Sequence, residues 1–126
     1  MAKLLIVDDE EDVREFAANF FRKRKLEVKT AGSGEEALEC VKADKPDLVL
    51  LDIRMGGISG IQTLEQIKKM DRDIKVVMVT GTRPEENECY HACIALGACG
   101  YVHKPLELHE LELVVMTTLE PEAKIK

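Results

Sequence analysis

A doubly wound α/β domain with a five-stranded parallel sheet is what the sequence predicts, and three observations carry it. Short β-branched apolar runs alternate with longer segments of helical period, five times along the 126 residues. The runs, such as "LLIV", "LVLL" and "VVMV", are nearly continuous in apolar residues. That marks strands covered on both faces, not the half-exposed strands of an antiparallel sheet. No long linker or low-complexity segment interrupts the alternation. Right-handed crossovers limit the topologies. For five strands the common doubly wound order is 2-1-3-4-5, with its switch point between strands 1 and 3.

The elements follow in order. Residues 4–7 form the first strand. Val13, Phe16, Ala17, Phe20 and Phe21 fall at i, i+3, i+4, i+7 and i+8, an amphipathic helix with these residues on its core face. The basic run at residues 22–25 sits where that helix ends, and the macrodipole favours cations there. It reads as a solvated helix end, not a phosphate-binding patch. Residues 26–30 make a weaker second strand. Ser33 stands three before Glu36, a capping-box spacing that opens a helix to about Ala43. After Pro46, "DLVLLD" is a third strand ending at Asp52. Ser59 and Gln62 make another capping box, with Ile61, Leu64 and Ile67 along one face. "IKVVMVT" is the fourth strand. Thr82, Pro84 and Glu85 suit the first turn of a helix running to about Leu96. "GYVH" is the fifth strand, and Leu108, Leu111, Val115 and Leu119 stripe the last helix.

Composition bounds the function. With 45% hydrophobic and 33% charged residues the chain reads as one soluble globular domain. No apolar run approaches a membrane span, and the N-terminus lacks a signal peptide's apolar region, so a cytoplasmic protein is expected. A net charge of −6 argues against direct nucleic-acid binding. Cys40, Cys89, Cys93 and Cys99 read as reduced thiols. Cys89 and Cys93 share a helix face as small core residues, and without a CxxC motif a zinc site or redox sensor is the weaker reading.

The chemistry stands at the strand ends. Strand 1 delivers Asp8 and Asp9, strand 3 Asp52, strand 4 Thr80 and strand 5 Lys104. Singly, each has a plain reading: a helix start, a turn cap, β-propensity, a surface lysine. Together they occupy the edge where this topology binds ligands. Three carboxylates that close need a cation among them. Hard oxygen donors suit Mg²⁺, with Mn²⁺ as the alternative, and a hydroxyl and an ammonium complete a cradle for a phosphoryl group. Within the acidic block of residues 8–12, Glu10, Glu11 and Asp12 belong instead to the first turn of the next helix.

The stretches "KLLIVDDEEDVREF", "PDLVLLDIRMGGISG", "VVMVTG" and "GYVHKP" strongly resemble the receiver domain of bacterial two-component response regulators, over essentially the whole chain. The resemblance implies a flavodoxin-like fold, a receiver at residues 1–120 with a tail at 121–126, and a signalling switch instead of an enzyme. It implies Asp52 as the phosphoacceptor, with Mg²⁺ held by Asp8, Asp9, Asp52 and the backbone carbonyl of Arg54. Lys104 would contact the phosphoryl oxygens and Thr80 would move to hydrogen-bond them. Tyr101 would then rotate inward and alter the surface of helix 4, strand 5 and helix 5. On residues alone, Tyr101 is a half-buried strand aromatic.

The implied partners are a sensor histidine kinase or phosphotransfer protein and a downstream effector protein or missing effector domain, with a phosphorylation-dependent homodimer as one form of output. Two departures stand out. Gly56 follows Met55 where the family usually has proline, and the Gly56–Gly57 pair relaxes the loop. The segment from Thr80 to Lys104 also looks slightly long. Arg54 and Thr82 are expected to tune hydrolysis of the aspartyl-phosphate. An aspartate-nucleophile phosphohydrolase would need a DxD motif after strand 1, which "DDEED" does not supply. A flavin-binding module would meet five carboxylates where its phosphate should sit. With "EPEAKIK" directly after the last helix, either a single-domain regulator or a receiver from a longer protein is expected.

Overall fold

The computed structural model describes residues 2–53, 59–80, 88–103 and 107–119; the side chains at 88–90 and 103 lie outside the description. The elements alternate as β1 (Lys3–Val7), α1 (Glu11–Arg22), β2 (Glu27–Ala31), α2 (Gly34–Ala43), β3 (Leu48–Asp52), α3 (Gly60–Met70), β4 (Lys75–Thr80), α4 (Glu88–Ala95), β5 (Gly100–His103) and α5 (Leu108–Leu119). The strands pair in parallel in the order β2-β1-β3-β4-β5, the predicted doubly wound sheet.

Alternate residues of each strand feed two cores. Leu4, Ile6, Leu48, Leu50, Val77 and Val79 pack on one face against Ala17, Ala18 and Phe21 of α1 and Leu111 and Val115 of α5. Leu5, Val7, Val49, Leu51, Val76 and Met78 pack on the other against α2, α3 and Cys93 of α4. Both faces are covered, so the continuous apolar runs were the right signal. No described helix is long and apolar enough to cross a membrane.

The core face of α1 differs from the expected stripe. Phe16 is 57% exposed, while Ala18, absent from that stripe, is fully buried beside Ala17 and Phe21. Two alanines let the helix lie close to the sheet, and a phenylalanine at position 16 falls on the outward side of that contact. The basic run also does more than face solvent. Arg24 Nε bonds Glu112 Oε2 of α5 at 2.8 Å, and its guanidinium lies 3.6 Å over the Phe20 ring.

Helix α1 ends in a Schellman arrangement. Leu26 N–H reaches back to Phe21 O, Lys25 N–H to Arg22 O, and Lys25 adopts φ 66°. Leu26 thus closes the helix, which is why β2 starts at Glu27, one residue later than the pattern suggested. A left-handed conformation costs a residue with a Cβ roughly 1–2 kcal/mol. Lys25→Gly should therefore raise unfolding free energy by about 0.5–1 kcal/mol, read from the urea midpoint at unchanged slope. Helix α4 closes the same way with Gly97 at φ 104°; its N–H bonds Ile94 O, and Ala98 N–H bonds Cys93 O. The expected first turn of this helix, at Thr82, Pro84 and Glu85, lies outside the described residues.

Both predicted N-caps form. Ser59 Oγ accepts the Gln62 N–H at 3.1 Å, and Gln62 Oε1 accepts the Ser59 N–H at 3.0 Å, a complete capping box. Ser33 Oγ accepts the Glu36 N–H at 3.1 Å, but Glu36 Oε1 reaches one residue further, to the Gly32 N–H at 2.7 Å.

Candidate functional site

Strands β1 and β3 are neighbours with Val7 opposite Leu51, so Asp8 and Asp52 leave the same rim side by side. This is the switch point, since β2 lies on the other side of β1. Asp8 is 4% and Asp52 3% exposed, while Asp9 is exposed. One carboxylate oxygen from each of Asp8, Asp9 and Asp52 lies within 4.8 Å of the others. Among the described residues it is the one His, Cys, Asp or Glu group able to hold a metal ion. The donor set is all hard oxygen and carries three negative charges, which fits a hard divalent cation better than zinc or copper.

Local structure fixes the acidic turn. The Asp8 N–H extends the ladder to Ala31 O at 3.1 Å, and Asp8 Oδ1 accepts the Glu10 N–H at 2.9 Å. Arg14 Nη1 donates to Asp8 O at 2.8 Å. Glu10 is the N-cap of α1, and Glu11 and Asp12 fall in its first turn, as the macrodipole favours. The block of acids therefore divides between the rim and the helix start.

Asp52 ends β3 opposite Val79, and the Ile53 N–H carries the ladder on to Val79 O at 2.9 Å. Thr80, fully buried, stands one residue beyond on β4, in register with His103 at the end of β5. The structure thus brings Asp8, Asp9, Asp52 and Thr80 to one rim. Tyr101 lies two residues before His103, opposite Met78, half-buried against the core that α2 to α4 cover. Arg54, Thr82 and Lys104 lie outside the described residues, as do Met55, Gly56 and Gly57.

Two residues that sequence reasoning passed over support this rim. At Gly60, the first residue of α3, a Cβ would stand 2.5 Å from Asp52 O, 2.6 Å from Ile53 Cα and 3.0 Å from Ile53 O. The helix start therefore rests directly on the backbone that presents Asp52, and the Gly60 N–H donates to Ile53 O at 3.1 Å. The signal was a glycine opening a helix straight after its cap, where propensity disfavours it. Arg14 is the second. It stands three and four residues before Ala17 and Ala18, on the helix side that meets the core, where a charged residue needs a partner.

Among the described residues the cysteines stand outside this acidic group. Cys40, Cys93 and Cys99 form no disulfide, and Cys93 is fully buried in the core. Burial first, and then the charge of Glu36, push the Cys40 thiol above its usual value, which makes it less reactive. The side chain of Cys89 lies outside the description.

Comparison with known proteins points one way. A family model described as the response regulator receiver domain matches residues 4–116. The regulatory protein AtoC of Escherichia coli is 35% identical over 118 residues, covering 94% of this chain and 25% of its own length. Sporulation initiation phosphotransferase F of Bacillus subtilis is 34% identical, with 86% of each chain covered. The chain spans a quarter to about half the length of AtoC and of the response regulator SaeR of Staphylococcus epidermidis, 25% and 48%. Among solved structures, a CheY-like receiver domain protein from Methanospirillum hungatei superposes with a TM-score of 0.89 at 26% identity, covering 100% of this chain and 99% of that one. The response regulator TrrA of Thermotoga maritima, in complex with Mg²⁺-BeF, gives 0.84 at 34% identity, covering 94% of this chain and 100% of that one.

Proposed function

Because the chain belongs to the response regulator receiver domain family of phosphorylation-dependent signalling domains, we propose that Asp52 is its phosphoacceptor and that Asp8, Asp9 and Asp52 hold a Mg²⁺ ion. The observation that carries this reading is the convergence of three carboxylates, two of them buried, within 4.8 Å at the sheet's switch point. Mn²⁺ would find the same oxygen ligands, and the Arg54 carbonyl would supply one more.

The donor is the phosphohistidine of a sensor kinase or phosphotransfer protein. An Asp52 carboxylate oxygen attacks phosphorus in line, so that an O–P bond forms as the P–N bond breaks. The imidazole nitrogen leaves with the electron pair. A divalent cation held by Asp8, Asp9 and Asp52 would supply charge neutralisation for the phosphoryl and carboxylate oxygens. Asp8 and Asp9 orient their oxygens toward the rim, and the Lys104 ammonium meets the phosphoryl oxygens as a point charge. The Thr80 hydroxyl shifts to donate to the phosphoryl group, and Tyr101 turns inward. The changed surface of α4, β5 and α5 then engages an effector, an attached effector domain or a second copy of the chain. The domain assists its own phosphorylation and dephosphorylation from residues 1–120, with 121–126 as a tail, and acts in the cytoplasm.

A small acyl-phosphate donor should add one phosphoryl group per chain when Mg²⁺ is present. Chelation by EDTA should abolish the uptake; labelling that continues unchanged in EDTA would refute the metal-assisted reading. Arg54→Ala and Thr82→Ala should alter the lifetime of the acyl-phosphate at unchanged stoichiometry, and identical half-lives would remove both from the hydrolytic step.

A further inference from the structure

We propose that Arg14 is a positioning residue for the metal-binding turn, acting through a clamp that runs from the first turn of α2 through Gly32 to the Asp8 carbonyl. The inference rests on the metal reading above and extends it to residues that hold no metal themselves.

Asp8 lies one residue beyond the last rung of β1, where Val7 stands opposite Ala31. Its own N–H is already paired with β2 at Ala31 O, 3.1 Å away. Beyond Ala31 the chain turns off toward α2, and Arg14 Nη1 bonds the Asp8 carbonyl at 2.8 Å. A charged donor makes this the stronger kind of hydrogen bond. Arg14 holds the carbonyl of the Asp8–Asp9 peptide, and the peptides on either side are held by the Asp8 N–H to Ala31 O and the Glu10 N–H to Asp8 Oδ1.

Gly32 makes room for the guanidinium. A Cβ there would lie 3.1 Å from Arg14 Nη1 and 3.5 Å from Glu36 Oε1. Gly32 is not among the described residues with positive φ, so its need is for space, not for a special backbone conformation. Glu36 Oε1 holds the Gly32 N–H at 2.7 Å and so fixes the surface against which Arg14 lies.

Two effects of Arg14 oppose each other. As a nearby cation it weakens Mg²⁺ binding by repulsion; as a clamp it strengthens binding by holding two ligands in place. The clamp dominates, because outer partners of metal ligands typically contribute roughly 10–100-fold in affinity. Calorimetric titration of the metal-free chain with Mg²⁺ should therefore show Arg14→Ala weakened by about tenfold or more. Gly32→Val should weaken it in the same direction at unchanged net charge, by crowding the guanidinium off the carbonyl. Arg14→Lys, which keeps the charge and most of the stem, should recover part of the affinity. It also serves as the reporting variant if the alanine chain fails to fold, which urea unfolding without metal will show.

A purely structural role would lower metal-free stability and leave the affinity of the folded chain unmoved. Parental affinity in Arg14→Ala or in Gly32→Val overturns the proposal, as does tighter binding in Arg14→Ala. A parent chain that takes up no Mg²⁺ instead overturns the metal reading beneath it.

Discussion

Asp52→Asn should leave a folded chain that accepts no phosphoryl group and, without metal, resists urea better than the parent. Asparagine preserves the bulk of the side chain but removes both the nucleophile and one of three negative charges within 4.8 Å of each other. At that separation, and at the effective dielectric typical near a protein surface, a pair of like charges costs about 3 kcal/mol. A metal-free gain of about 1–3 kcal/mol follows once relaxation and the hydration of Asp9 are allowed for. Millimolar Mg²⁺ should narrow or reverse the order, because ligand binding stabilises the parent more than a variant missing a ligand. That result would show function held at the expense of stability, as is usual where charges are gathered for binding. Metal-free destabilisation of Asp52→Asn would show that the acidic rim is relieved by other means.

Gly60→Ala should cost about 3 kcal/mol, and Gly60→Val more, because the atoms that a Cβ would meet at 2.5–3.0 Å are all backbone. Backbone cannot rotate aside, so either α3 lifts or the end of β3 moves, and Asp52 moves with it. Mg²⁺ affinity should fall together with the urea midpoint. Gly100→Ala is the matched control. There the nearest atoms, on Val77 and Val114, are at 3.6–3.7 Å, ordinary contact, and the change should lie within about 1 kcal/mol. Equal effects at the two glycines would mean that the close approach at Gly60 is not what holds the site.

How much of this could be read beforehand depends on the scale of the feature. Strand runs and capping boxes are local, and so β5 at "GYVH", the Ser59–Gln62 box and the ordering of the sheet could all be read from neighbours in sequence. The rim could be read too, since parallel strands place their carboxyl ends together, and Asp8, Asp52 and Thr80 each stand at one.

Periodicity, by contrast, counts apolar residues without saying which of two adjacent stripes meets the sheet. Phe16 was thus placed inward when the alanine pair at 17–18 sets the contact. The end of α1 was legible in the basic run at 22–25, but the left-handed turn at Lys25 was not, because a lysine makes it where a glycine would have advertised it. The support at Gly60 and Arg14 depends on approaches between segments 8 and 6 residues apart in sequence but set by tertiary packing. Such approaches leave only an oddly placed glycine or a charged residue on a core face as their trace.

The most direct measurement is the position of the phosphoryl group itself. After reaction with an acyl-phosphate donor and Mg²⁺, peptide mapping by mass spectrometry should place the modification on Asp52 alone, within the peptide that carries the end of β3. Modification at any other residue, or uptake that persists in Asp52→Asn, would contradict the assignment of the acidic rim as a phosphoacceptor site.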